Sequence, residues 1–226
     1  MPAAQLKSLV ADTRSGAVIV VMAFVLVAVF SSANTPTRAQ ENATPPYFLV
    51  ATPDLIDPIF QKSVILILPA HRSPLIVGLI VNRPTRFRLG ELLREVPALK
   101  SRTEAPYFGG PVAMNSPALI FRSSQSGRGA VKLFDGVYAK LDSEPDDDVL
   151  KQPPAAANLR IYLGRAQWDA NQLRGEMLRG SWYVVPADSA TVFSPNPAQL
   201  WQTLVTRAQM QKADAADTAS HGLWRD

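Results

Sequence analysis

The chain has 226 residues, 47% of them hydrophobic and 19% charged, with no cysteine and a formal net charge of +4. That length suits one ordinary domain with appendages, and the hydrophobic content is enough for a sizeable core. The missing cysteines exclude disulfides, thiolate nucleophiles and Cys-ligated zinc or iron–sulfur centres. Lys7, Arg14 and Arg38 against Asp12 give residues 1–39 a net +2, leaving +2 for the rest, too little for a footprint on a phosphate backbone.

Residues 1–39 read as a secretory signal. Lys7 and Arg14 form a positive start, Ala17–Phe30 is an unbroken apolar run of 14 residues, and Thr37-Arg38-Ala39 offers a cleavage site before Gln40, with Ser31-Ser32-Ala33 as a second site. The run is short of the roughly 20 apolar residues of a full span. An uncleaved signal-anchor is the rival reading and a buried core helix the third. The first two place the globular part outside the cytoplasm, either periplasmic or exported, or tethered to the inner membrane by this segment alone. Residues 40–46, QENATPP, are a linker.

Tyr47–Ala51, Ser63–Leu68 and Leu75–Asn82 are short β-branched and aromatic runs bounded by prolines, and are predicted as strands. The third is near-continuously apolar, which predicts a sheet covered on both faces. Leu89, Leu92, Leu93 and Val96 fall at helical spacing, with Pro97 as a stop. Ala118–Arg122 is a strand, and Asp135-Gly136 between alternating runs marks a two-residue hairpin turn. Residues 142–148, DSEPDDD, read as a solvated acidic loop. Leu159–Gly164 and 181–187 are strands, and residues 171–180 form a helix closed by Gly180. A last helix runs Pro197–Ala208, and residues 209–226 are read as a disordered tail. Strands outnumber helices without regular alternation, so the fold class is α+β.

Several of these stretches together resemble the YqgE/AlgH family: YFLVATPDLIDPIFQKSVILIL, GLIVNRP, YFGGPV, LGRAQWDANQLRGEM and SWYVVPAD. In this order and spacing they span about residues 47–205. The resemblance implies a single compact domain over residues 47–208, with a bifurcated or barrel-like, largely antiparallel sheet surrounded by helices. It implies no catalytic mechanism. One branch of the family is linked by name to transcriptional control of alginate synthesis. The family segment G-Y-A-G-W-x-x-G-Q-L-E is here Gly164–Arg174, with Gln167, Asn171 and Arg174 in place of glycine, glycine and glutamate. Family members also usually lack the export signal.

Chemistry-bearing residues are sparse. His71 is the one histidine outside the tail; a triad with Ser63, Ser73 or Ser123 lacks a nucleophile elbow, and an exposed loop histidine is the plainer reading. Residues 142–148 lack the spacing of a calcium loop, and no metal is expected. Asp54 with Asp57, and Asp169 with Glu176, are carboxylate pairs better suited to turns and helix caps than to acid–base work. Asn82 and Arg83 emerge where a buried strand ends; they either hold a carboxylate or phosphate, or tie a turn and pair with an acid. Trp168 and Trp182 are core residues or one wall of a cleft. Arg83, Arg86, Arg88, Arg94, Lys100 and Arg102 concentrate in one stretch, interrupted by Glu91 and Glu95. Gly109-Gly110 runs into Pro111, which donates no amide, and no Lys-Ser/Thr pair follows, so the pair reads as a tight, close-packed turn and not a phosphate cradle.

These readings converge on a non-catalytic, exported domain with a regulatory or envelope-associated role and no cofactor. Its candidate ligand- or partner-binding residues are Asn82, Arg83, Gly109, Gly110, Trp168 and Gln172. The expected partner is a protein or an anionic small-molecule or envelope component; nucleic acid fits poorly with export. A hydrolase using His71 or a carboxylate pair, and a cytoplasmic transcriptional regulator, are the alternatives.

Overall fold

Strand-forming residues dominate the chain from Tyr47 onward, and they assemble into two five-stranded sheets rather than one. The computed structural model describes residues 45–69 and 74–222, so the signal segment and His71 lie outside the described residues. The first sheet has the order β10-β1-β2-β3-β9, all antiparallel. Its strands are β1 (Tyr47–Ala51), β2 (Val64–Ile67), β3 (Ile76–Ile80), β9 (Ala166–Trp168) and β10 (Trp182–Pro186). The second has the order β4-β8-β5-β7-β6, with β4 (Tyr107–Phe108), β5 (Ala118–Arg122), β6 (Val131–Phe134), β7 (Val137–Lys140) and β8 (Leu159–Leu163). Here β4 runs parallel to β8 and the other pairs are antiparallel. The fold is therefore α+β with a divided sheet, not a closed barrel.

Strand periodicity explains how both sheets come to be covered on two faces. Successive side chains point to opposite sides, so Phe48 and Val50 enter one core while Leu49 and Ala51 enter another. Phe48, Leu66 and Leu79 of the first sheet share a core with Ile120, Val137 and Tyr162 of the second. The long helix α5 (Leu200–Gly222) closes this core with Leu200, Leu204 and Val205. Leu49, Ile65 and Ile80 instead meet Trp168, Trp182 and Leu173, the last from α3 (Ala170–Leu178). On the far side of the second sheet, Leu119, Phe121 and Ile161 pack with Leu89 of α1 (Leu89–Leu92) and Leu150 of α2 (Asp148–Lys151). A single-turn helix, α4 (Ser189–Val192), follows β10 and is capped by Asp188.

Two helices differ from the sequence reading. The apolar spacing over residues 89–97 yields only the single turn α1, because the C-cap Leu93 leaves the helical region and Pro97 starts a separate 3-10 turn over Pro97–Leu99. Leu92 is accordingly 40% exposed while Leu89, Val96 and Leu99 carry the burial. At the other end, α5 continues to Gly222 instead of stopping at Ala208. No glycine or proline interrupts residues 200–221, and alanine, the strongest helix former, recurs through residues 208–219.

Candidate functional site

The two sheets are stitched together where the glycine pair crosses the end of β8. Gly109 N donates to Leu163 O at 2.8 Å, and Ile80 N donates to Gly109 O at 3.0 Å, so one residue bonds to both sheets. Phe108 N donates to Arg83 O at 2.9 Å just before it. The approach leaves no room for a side chain: a Cβ on Gly109 would fall 2.2 Å from Gly164 O, and one on Gly164 would fall 2.2 Å from Gly110 O. Gly110 and Gly164 also take φ of +148° and +71°, values that side chains disfavour. The close-packed turn expected from the sequence is thus a backbone crossing.

Arg165 leaves this crossing with its main chain fixed. Its N–H donates to Val112 O at 2.8 Å and its carbonyl accepts from Val112 N at 3.0 Å. The side chain enters a cleft of about 420 Å³ between the sheets. Tyr47, Ile67, Ile76 and Val77 from the first sheet form one wall, and Val131 and Leu141 from the β6–β7 side form the other. Tyr47, Asp142, Arg165 and Gln167 supply the polar side chains. Arg165 Nη1 donates to Asp142 Oδ1 at 2.6 Å; the arginine side chain is 17% exposed and the aspartate 54%. Arg165 Nε is buried and meets no hydrogen-bond acceptor among the described residues. Asp142 holds φ +50°, a left-handed position that aspartate tolerates better than most residues. Burial also raises the Tyr47 hydroxyl above the usual phenol range. A recess lined mostly by apolar residues with a few polar groups is the usual form of a small-molecule site.

None of the six candidate residues lines this cleft. Asn82 is buried, and it clasps the edge of β2: Oδ1 accepts from Val64 N at 2.8 Å while Nδ2 donates to Lys62 O at 2.9 Å. Arg83 donates from Nη1 to Ile59 O and from Nη2 to Gln61 O, so it holds carbonyls and not the acid expected from the sequence. Burial lowers its pKa, with Asp57 pulling the other way. Trp168 and Gln172 come together elsewhere, around Glu176. The indoles of Trp168 and Trp182 donate to Glu176 Oε2 at 3.0 and 2.9 Å, and Gln172 Nε2 donates to Oε1 at 3.1 Å. Phe60 packs on both indoles, at centroid distances of 5.8 and 6.1 Å. Strand alternation turns Trp168 to this side and its neighbour Gln167 to the cleft.

The remaining chemistry resolves into structural ties. Asp57 accepts from Ile59 N and Phe60 N, and Asp169 caps α3 through Gln172 N, as the turn-and-cap reading expects. Ser63 Oγ donates to Phe60 O at 2.6 Å. The acidic stretch is not simply solvated: Asp147 is buried, pairs with Lys140 and caps α2 at Val149 N, and Asp142 pairs with Arg165. Arg102 pairs with Glu104 and bonds Pro154 O, and Arg94 bonds Glu91 O, while Arg86, Arg88 and Lys100 are exposed. No group of three His, Cys, Asp or Glu suited to a metal occurs among the described residues. The sequence reading passed over Asp142 and Arg165. The available signal was an arginine set between Gly164 and Ala166 in the motif segment, with Gln167 two residues on where the family has glycine.

Comparison with known proteins gives a consistent picture. The profile of the AlgH-like family, DUF179, matches residues 48–213. A UPF0301 protein of Streptomyces coelicolor is 34% identical over 178 residues, covering 76% of this chain and 89% of its own. One from Stenotrophomonas maltophilia is 30% identical over 191 residues, covering 83% and 98%. The solution structure of AlgH from Pseudomonas aeruginosa superposes with a TM-score of 0.54 at 26% identity, covering 75% of this chain and 86% of AlgH. A Corynebacterium diphtheriae crystal structure shares the fold with a TM-score of 0.57 at 24% identity, covering 72% and 86%. The chain belongs to the AlgH-like, UPF0301 family.

Proposed function

We propose that this is an exported binding domain, without catalysis of its own, that takes its ligand in the cleft between the two sheets. The observation that carries the reading is the cleft itself: about 420 Å³, walled mostly by apolar side chains from both sheets and lined also by the Arg165–Asp142 pair. A recess of that size lies within the range of small-molecule sites, roughly 300–1,000 Å³. Binding is favoured over turnover because the polar side chains among its described lining residues are a paired arginine and aspartate, one carboxamide and the Tyr47 phenol, and none of these is a nucleophile held by a base. Export is carried by the N-terminal segment alone, and an envelope-associated or regulatory role follows from export together with binding.

The test is a fragment screen by ligand-observed NMR, repeated on Val131→Trp, which fills the cleft from the β6 wall. Hits on the native protein that vanish in the variant support the reading. Hits that persist unchanged place the binding elsewhere and refute it. Reproducible turnover of any substrate, lost on replacing a cleft residue, refutes the non-catalytic part. N-terminal sequencing of the protein from fractionated cells decides export: a periplasmic chain starting near Gln40 supports it, and a cytoplasmic chain starting near Met1 overturns it.

A further inference from the structure

We propose that the cleft ligand is an amphipathic monocarboxylate, with its carboxylate on the Arg165 guanidinium and its apolar body along Ile67, Ile76, Val77, Val131 and Leu141. The inference rests on the cleft reading above and assigns the chemistry of its occupant. Arginine presents a planar fork of donors that matches one carboxylate. Here only Nη1 is engaged, by Asp142 Oδ1, and the buried Nε has no hydrogen-bond acceptor among the described residues. Among the described residues the guanidinium is thus partnered on one nitrogen, although its backbone is clamped to Val112.

Asp142 occupies the place a ligand carboxylate would take. Its side chain is half exposed, so it returns to water readily when displaced, and a partly solvated ion pair is weakly held. Among the described residues Arg165 is the one cation lining the cleft, and Asp142 stands beside it. That balance suits one negative charge on the ligand and disfavours a dianion such as a phosphate monoester. Beyond the pair, the polar side chains among the described lining residues are Tyr47 and Gln167, and the others are mostly aliphatic. An aliphatic or aromatic body is what such walls desolvate favourably.

The test is calorimetric titration of the full chain with octanoate and with octanamide, which share a body and differ in charge. Octanoate is expected to bind at least about tenfold more tightly, the scale of one charge-assisted fork. Arg165→Gln is expected to abolish that preference, and Asp142→Asn to tighten octanoate severalfold by removing the internal competitor. Asparagine is also at ease at the left-handed φ of residue 142, so this variant keeps the fold and decides the question if Arg165→Gln does not fold. Equal binding of the two probes, both blocked by Val131→Trp, overturns the carboxylate assignment and leaves the cleft reading standing. Octanoate binding that survives Val131→Trp, or that weakens in Asp142→Asn, overturns the assignment as well. Failure of octanoate to bind does the same, and the fragment screen then judges the cleft separately.

Discussion

Gly164→Ala and Gly180→Ala carry the same backbone penalty and differ in one contact. Both glycines are left-handed, at φ +71° and +75°, and alanine in that region costs on the order of 1–2 kcal/mol. A Cβ on Gly180 meets nothing within 4 Å, whereas one on Gly164 falls 2.2 Å from Gly110 O, 2.8 Å from Met114 Sδ and 3.0 Å from Val112 O. The methionine can rotate away, but the backbone oxygens cannot. Real Cβ contacts essentially never fall under 3.0 Å, so the crossing must open by about 0.8 Å. That movement stretches the two Val112–Arg165 bonds and the Gly109–Leu163 bond, at 2.8, 3.0 and 2.8 Å. At about 0.5–1.5 kcal/mol for each bond, the added loss is roughly 2–4 kcal/mol. Gly164→Ala is therefore expected to cost about 3–6 kcal/mol and Gly180→Ala about 1–2 kcal/mol, against a total stability on the order of 5–15 kcal/mol. Urea denaturation followed by tryptophan emission gives both values from midpoints at a common slope. Costs that agree within about 0.5 kcal/mol would mean that the crossing yields freely, and the account of the glycine pair would fail.

Three further outcomes follow from the same contacts. Asn82→Ala strands the buried Val64 amide and frees the Lys62 carbonyl on an exposed residue, and is expected to lower stability by about 1–3 kcal/mol, the cost of one unpaired buried group; a urea midpoint within error of the parent contradicts this. Glu176→Ala leaves two indole N–H groups without their acceptor, so the tryptophan emission maximum should shift to the red and stability should fall by about 2–4 kcal/mol; an unchanged spectrum excludes the role given to Glu176. Burial pushes the Tyr162 hydroxyl well above the usual phenol range, with Tyr107 adding to the effect and Arg160 opposing it. The folded state then keeps a proton that the unfolded state loses, so this contribution is intact below pH ~10 and drains away as pH rises further, by up to about 1.4 kcal/mol per pH unit. Urea midpoints between pH 9 and 11 should fall less steeply in Tyr162→Phe than in the parent, and parallel slopes would refute the assignment.

Local signals in the sequence were sufficient for the strands and insufficient for the cleft. Tyr47–Ala51 and Ala118–Arg122 fold as strands with the expected limits, and Asp135-Gly136 forms the expected hairpin with Gly136 at φ +67°. These are runs whose side-chain period and flanking turn residues agree with one another. The segment from Leu89 carries helical spacing but lacks the neighbours to sustain it, and only one turn forms. β9 escaped notice because it has three residues, inside a stretch whose motif drew attention to its tryptophan. The cleft was invisible for a different reason. Its walls come from residues 45–47, 67–69, 74–77, 129–142 and 165–167, and each apolar residue there resembles a core residue until two sheets diverge around it. Asn82 and Arg83 stood out in the sequence as polar residues at a strand end, yet what they bind is backbone from the loop and strand edge of residues 59–64.

The pairing of β1 with β10 sets the order in which the chain can become a folded object. Tyr47 faces Pro186 in that ladder, and the indole of Trp201 donates to Ala51 O across 150 residues of sequence at 2.7 Å. The first strand therefore waits, one edge open, until nearly all of the domain has been made. Contacts this distant close large loops before any reward is returned, and they make folding slow. A growing chain stays unlocked through most of its synthesis, and its last helix acts as the latch that commits it.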